Sequence, residues 1–90
     1  MNIKTVYNSL KDYRQKGVRI YFPWNIFTLK HKEQIEVYIY ATKYCIIKED
    51  KWWCIYYNER GSDILLKQIE DESEASLYFY NLIIPKMPRS

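Results

Sequence analysis

In several segments between residues 18 and 69 the apolar side chains recur at every second position, and this pattern constrains the fold more than any other feature. In the clearest case, Ile35, Val37 and Ile39 are separated by single polar or aromatic residues. Such alternation places successive side chains on opposite faces of an extended strand. β-branched residues and tyrosines are also common in strands, although a short helix over 35–41 stays open. The pattern predicts strands at 18–22, 35–41, 44–48, 52–57 and 64–69.

Residues 23–33 have no clean period. We treat them as an irregular connection that holds a short strand near 26–29.

Before the first strand the apolar period changes to three and four residues, which is typical of an amphipathic helix. We predict a helix over 3–16, with Asn2 as its N-cap and Gly17 as the residue that ends it. Its apolar positions are Ile3, Val6, Tyr7, Leu10 and Tyr13.

A second helix is predicted after the last strand. Asp71 and Glu74 have the spacing of an acidic capping box, and Pro85 ends the helix before a frayed tail at 86–90. The predicted apolar stripe comprises Ala75, Tyr78, Phe79, Leu82 and Ile83.

Together these elements predict a single α+β domain over residues 1–90. We expect an antiparallel sheet of about four to six strands, with an N-terminal and a C-terminal helix packed on one face. A chain of 90 residues buries only about 60% of the surface of its unfolded form. Little volume therefore remains for a deep active-site cavity.

The residues 49–51 form the predicted turn of a hairpin. If the turn centre lies between Glu49 and Asp50, the two cysteines, Cys45 and Cys54, are directly opposite each other; another register separates them. The segment 58–62, with Gly61, is a second predicted turn.

Few residues could support catalysis. The chain has two glycines, too few for a phosphate-binding loop, and its one histidine, His31, lies between two lysines. One histidine and two cysteines cannot complete a tetrahedral zinc site. Carboxylates at 49–50 and 70–74 cluster at a turn and a helix start, where caps and solvated charges are common. We therefore predict no enzyme activity, no metal and no cofactor.

Charge and compartment give two further expectations. Residues 1–48 carry nine Lys/Arg against three Asp/Glu, net +6, whereas residues 49–90 carry five against eight, net −3. This asymmetry predicts either self-complementary packing or two faces of opposite sign. No apolar run approaches a membrane span of about 18–20 residues, and we expect a cytoplasmic protein that does not bind membranes, with reduced cysteines.

The aromatic residues of the 52–57 segment occupy both faces of the predicted strand. One face has Trp53, Ile55 and Tyr57, and the other has Trp52, Cys54 and Tyr56. Only one can pack against the helices, so the other face stays more aromatic than solubility requires. Exposed aromatics bind protein partners or stack on nucleic-acid bases. Because no RNA-recognition signature is present and the pI of about 8.8 lies below about 9, we favour a protein partner over nucleic acid.

The C-terminal half carries a family resemblance. Its residues read Trp53-Cys54-Ile55-Tyr56-Tyr57-Asn58-Glu59-Arg60-Gly61, followed after a strand by Glu72-Ser73-Glu74-Ala75 and Tyr78-Phe79-Tyr80. That order resembles small immunity proteins of bacterial polymorphic toxin systems, including partners of contact-dependent inhibition toxins, over residues 44–84. The sequence departs from the pattern before the second helix, where Ile69 stands in place of an expected Phe.

The resemblance implies a non-catalytic protein that binds a cognate toxin and covers its active site or functional surface. Glu49 and Asp50 are included among the predicted contacts because acidic side chains complement basic nuclease domains. Arg60 is assigned either to the turn itself or to the toxin. A homodimer stays open, and the alternative function is a small nucleic-acid-binding or regulatory protein that uses the basic N-terminal half. The predicted contacts are Trp24, Tyr38, Tyr40, Glu49, Asp50, Trp52, Tyr56 and Arg60.

Overall fold

A five-stranded antiparallel sheet is the centre of the fold in a computed structural model that describes residues 1–13 and 16–88. In chain order the strands of the fold are β1 (Val18–Tyr21), β2 (Trp24–Asn25), β3 (Lys30–His31), β4 (Gln34–Ile39), β5 (Thr42–Glu49), β6 (Trp52–Glu59) and β7 (Ser62–Ile69). The main sheet has the order β1-β4-β5-β6-β7, and β2 and β3 form a separate two-stranded hairpin. With one helix at each end of the chain, the predicted α+β architecture is confirmed.

Both helices begin as the cap residues predict. The side chain of Asn2 accepts a hydrogen bond from the Thr5 backbone N–H at 2.9 Å before α1 (Ile3–Leu10). Asp71 does the same for Glu74 at 2.9 Å before α2 (Glu72–Ile83). These bonds satisfy backbone donors that the first turn of a helix leaves unpaired.

The helix ends differ from the prediction. The α-helical part of the predicted 3–16 helix stops at Leu10 and continues as a 3₁₀ turn over Lys11–Tyr13; residues 14 and 15 lie outside the described residues. Gly17 has a φ of +89°, a conformation that glycine adopts at little cost. At the other end, Met87 is buried after a 3₁₀ turn at Ile84–Lys86, so the expected fraying is wrong there; residues 89 and 90 are outside the described part.

Three two-residue turns connect the long strands, and the first residue of each has a positive φ: Tyr40, Asp50 and Arg60. The predicted strand 35–41 therefore ends at Ile39. The β5–β6 turn is centred between Asp50 and Lys51, one residue beyond the position that would pair the cysteines. Cys45 instead faces Tyr56, and Cys54 faces Ile47.

The expected strand at 26–29 is wrong, since these four residues form the turn between β2 and β3. Asn25 explains the difference. Its side-chain oxygen accepts a hydrogen bond from the Phe27 N–H at 2.9 Å, and its carbonyl oxygen accepts one from the Leu29 N–H at 2.9 Å. An asparagine side chain that bonds its own downstream backbone favours a turn over a continuing strand.

The core lies between the two helices and one face of the sheet. Strand residues that point toward the helices are buried with the inner faces of α1 and α2. On α2 the inner face comprises Ala75, Ser76, Phe79 and Ile83, whereas Tyr78 of the predicted stripe is exposed. Ala75, Phe79 and Ile83 recur every four residues and therefore lie on the same side of the helix. Tyr78 comes one position before Phe79 and lies outside this buried stripe.

Ser76 lies in this core with its hydroxyl buried, and no described residue accepts or donates a hydrogen bond to it. Ser76→Ala removes an unpaired buried hydroxyl and improves helix propensity. We expect the free energy of unfolding to rise by about 1 kcal/mol in urea denaturation. Ser9→Ala, in the partly exposed last turn of α1, is the control for helix propensity alone. A Ser76→Ala protein less stable than the wild type would contradict this account.

Candidate binding face

The sheet face that points away from the helices is the candidate functional site, and we call it the open face. Strand pairing places alternate residues of all five strands there, and none of its residues belongs to the core cluster. Its aromatic and large apolar members are Tyr21, Tyr38, Ile47, Trp52, Tyr56 and Leu65.

Tyr38 is held in place on the β1–β4 side of the open face. The guanidinium carbon of Arg19 lies 4.8 Å from the centre of its ring, within the range of a cation–π contact. The ring of Tyr21 meets it edge-on with centroids 5.7 Å apart, an arrangement that aromatic pairs prefer. Tyr38 is therefore a partly exposed ring whose orientation is fixed by its neighbours.

Tyr56 of β6 and Glu49, the last residue of β5, form a polar contact on the open face near the β5–β6 turn. The Tyr56 hydroxyl donates to the Glu49 carboxylate, with oxygen distances of 3.1 and 3.2 Å. Desolvation and this hydrogen bond raise the pKa of Tyr56 to about 12, because removing its proton would place two negative charges together. Trp52 pairs directly with Glu49 across the strands, and the Lys51 ammonium lies 5.3 Å from the Trp52 ring.

Both cysteines lie on the open face, diagonal to each other, with Cys45 paired to Tyr56 and Cys54 paired to Ile47. They are buried free thiols, and the side-chain amides of Gln34 and Gln68 approach the sulfurs of Cys45 and Cys54 at 3.9 and 3.6 Å. Burial, and then the nearby Glu36 carboxylate, raise the pKa of Cys45 to about 11. A neutral buried thiol is a poor nucleophile and a poor metal ligand.

The open face carries both signs of charge. Arg19 and Lys43 are balanced by Glu36, Glu49 and Asp63 on the same face, and the Lys43 ammonium lies 3.8 Å from a Glu36 oxygen. Other basic residues of the N-terminal half lie elsewhere, namely Lys4 on α1, Lys11 in the 3₁₀ turn after it, and Lys30 and Lys32 in the 30–32 segment. A polyanion therefore finds no continuous positive surface here, whereas a protein of mixed charge does not need one.

The structure separates the eight predicted contacts into groups. Four share the open face, namely Tyr38, Glu49, Trp52 and Tyr56, and Asp50 lies at the adjoining turn. Tyr40 and Arg60 lie at turns on the opposite end of the sheet, and Trp24 lies on β2.

Three of the aromatic and large apolar residues of the face escaped prediction, namely Tyr21, Ile47 and Leu65. Tyr21 already alternated with Ile20 in the sequence and could have been assigned with its strand. Leu65 could not, because a β-bulge shifts the register of β7 at Tyr56, and an extra residue reverses the alternation.

No protein-family model, curated protein or solved structure matches this chain. Within residues 1–13 and 16–88, no three His, Cys, Asp or Glu side chains are grouped so that they could hold a metal ion. No helix in that part of the chain has both the length and the apolar character needed to cross a membrane.

Proposed function

We propose that this protein is an immunity protein that binds a cognate bacterial toxin through the open face and neutralises it by occlusion. One observation carries the proposal: the sheet has a complete core on one face and ordered aromatic side chains, free of any helix, on the other. An aromatic surface of this kind is typical of protein interfaces. The toxin as partner class rests on the sequence resemblance.

The contacts around Tyr38 and Tyr56 support a binding role because they fix the rings before a partner arrives. Arg19 and Tyr21 orient the first ring, and Glu49 orients the second. A side chain that is already ordered loses less conformational entropy on binding. Tyrosine, tryptophan and arginine are also the residue types that most often dominate interface energies.

The surrounding charges suit the rim of such an interface. Lys43, Glu36 and Asp63 are close to the aromatic centre but partly solvated. Charges in that position affect encounter rate and specificity more than affinity. Binding should therefore survive moderate salt, unlike phosphate-dominated binding, which loses orders of magnitude between about 50 and 200 mM.

The proposal is tested by partner capture followed by a growth assay. The tagged protein is incubated with lysate of its source strain, with and without nuclease treatment. It is washed at moderate and at high salt, and the retained molecules are identified. That partner, expressed alone, is expected to arrest growth, and co-expression of this protein is expected to restore it. Retention of nucleic acid that disappears with salt, or a partner whose effect on growth this protein does not change, would contradict the proposal.

A further inference from the structure

The most exposed apolar residues lie on the apolar hairpin, which comprises β2, β3 and the turn 26–29. Phe27 is 91% exposed, Leu29 71%, Ile26 70% and Trp24 51%. No sequence pattern requires these residues for the core, and the folded chain leaves them in water.

The apolar hairpin is an ordered projection. At its base, the Lys32 N–H donates to the Pro23 carbonyl oxygen at 2.8 Å. The His31 ring stacks on Phe22 at 3.9 Å and meets Trp24 edge-on at 5.0 Å. Phe22 in turn contacts Tyr7 of α1 at 5.1 Å. Together with the Asn25 hydrogen bonds, these contacts hold the tip away from the core.

The size of the exposed patch is near the upper limit for a monomer. At these exposed fractions the four side chains present about 500 Å² of surface, and the largest patch on a typical monomer is about 300–600 Å² and often functional. Two such patches in contact would bury about 1,000 Å², which is the lower limit for a specific interface.

The charges at this end of the molecule favour a second copy of the chain as the occupant. Strand pairing places the hairpin at the same end of the sheet as the β5–β6 turn and the start of α2. The hairpin and the residue after it contribute the exposed Lys30 and Lys32. The other two segments contribute five exposed carboxylates and the exposed Lys51. A two-fold interface needs a surface that complements itself, and an apolar patch beside charges of both signs meets that condition. An anionic membrane would be repelled by the same carboxylates, which are Glu49, Asp50, Glu70, Asp71 and Glu74.

We propose that the protein forms a reversible two-fold homodimer through the apolar hairpin. The tips of two copies pack against each other, and lysines of each copy lie near carboxylates of the other. The open face is not used, so the dimer stays free to bind a partner there. This dimer does not depend on the proposed immunity function.

Sedimentation equilibrium tests the dimer, from low-micromolar to near-millimolar protein. We expect the wild type to dimerise and Phe27→Asp to raise the dimer dissociation constant at least about thirtyfold, as for a central interface residue. Because Phe27 is almost fully exposed, the substitution leaves the core intact, which circular dichroism verifies. The matched control is Leu77→Asp, at an exposed apolar position of α2, and it should dimerise like the wild type.

Three results would overturn the dimer. The first is a wild type that stays monomeric over the whole range. The second is equal dimerisation of Phe27→Asp and Leu77→Asp, which places the interface elsewhere. The third is a monomer that floats with phosphatidylserine vesicles and loses this with Phe27→Asp, which makes a membrane the occupant.

Discussion

Replacing Phe79 with alanine is expected to lower the free energy of unfolding by about 3–5 kcal/mol, the range for truncating a buried phenylalanine. Phe79 is fully buried in the middle of α2 and is among the largest side chains of the core. Its neighbours include residues of both helices and of the sheet. The loss combines removed apolar burial with a cavity that a sheet and two helices can only partly close.

The expected loss for Phe79→Ala is large relative to the total free energy of unfolding of the protein. A chain of 90 residues has a total stability of roughly 5–13 kcal/mol. The substitution therefore removes at least about a quarter of the total, and at the lower end of that range it unfolds part of the population. Urea denaturation measures the change, with Tyr78→Ala, the exposed neighbour on the same helix, as control. A loss for Phe79→Ala no greater than that for Tyr78→Ala would contradict the assigned helix face.

The second large effect is a loss of stability at alkaline pH that originates at Cys45. Its thiol has a pKa of about 11 in the folded protein, against 9.0 for an ordinary thiol. Between these values the folded state keeps a proton that the unfolded state releases, so stability falls as pH rises. A pKa difference of two units corresponds to about 2–3 kcal/mol in the free energy of unfolding. This contribution is fully present below about pH 9 and is lost by about pH 11.

Stability measured from about pH 8 to pH 11 tests this effect. The sharpest comparison is Cys45→Ala, which loses some stability at every pH but should show a shallower alkaline slope. Tyr56→Phe, which removes the other raised pKa on the same face, separates the two contributions. An unchanged slope in Cys45→Ala would show that the thiol titrates normally and is not buried as described.

The parts of the fold that follow from local chemistry could be predicted from the sequence. Asn2 and Asp71 cap their helices through side-chain bonds to backbone three residues away, and such bonds need no information about the rest of the chain. The alternation of Ile35, Val37 and Ile39 likewise identified a strand buried on one side. These signals determined the element order and the α+β class.

Features that depend on competition between similar energies could not be predicted. The 49–51 segment lacks a residue that selects one hairpin centre, so its register follows from the pairing of the complete strands. The β-bulge in β7 could not be predicted from the sequence either, and for that reason Leu65 was not assigned to the open face. At 26–29, apolar residues suggested a strand, but the side-chain bonds of Asn25 produce a turn.

The open face was predicted in part. Trp52 and Tyr56 could be placed on one face from their two-residue spacing, but only the packing of the helices decides which face is covered. Tyr40 was separated from Tyr38 because the strand ends at Ile39, two residues before the predicted end at 41.

The central claim, that the open face binds the partner, is tested most directly by the affinity of the captured toxin for matched variants in isothermal titration calorimetry. The double variant Trp52→Ala/Tyr56→Ala is compared with Tyr78→Ala, an aromatic truncation on the helix side, after both are shown to be folded. We predict at least about a hundredfold loss of affinity for the double variant, as for two interface anchors, and a change within about threefold for Tyr78→Ala. Wild-type affinity in the double variant, or an equal loss in both, would contradict the claim.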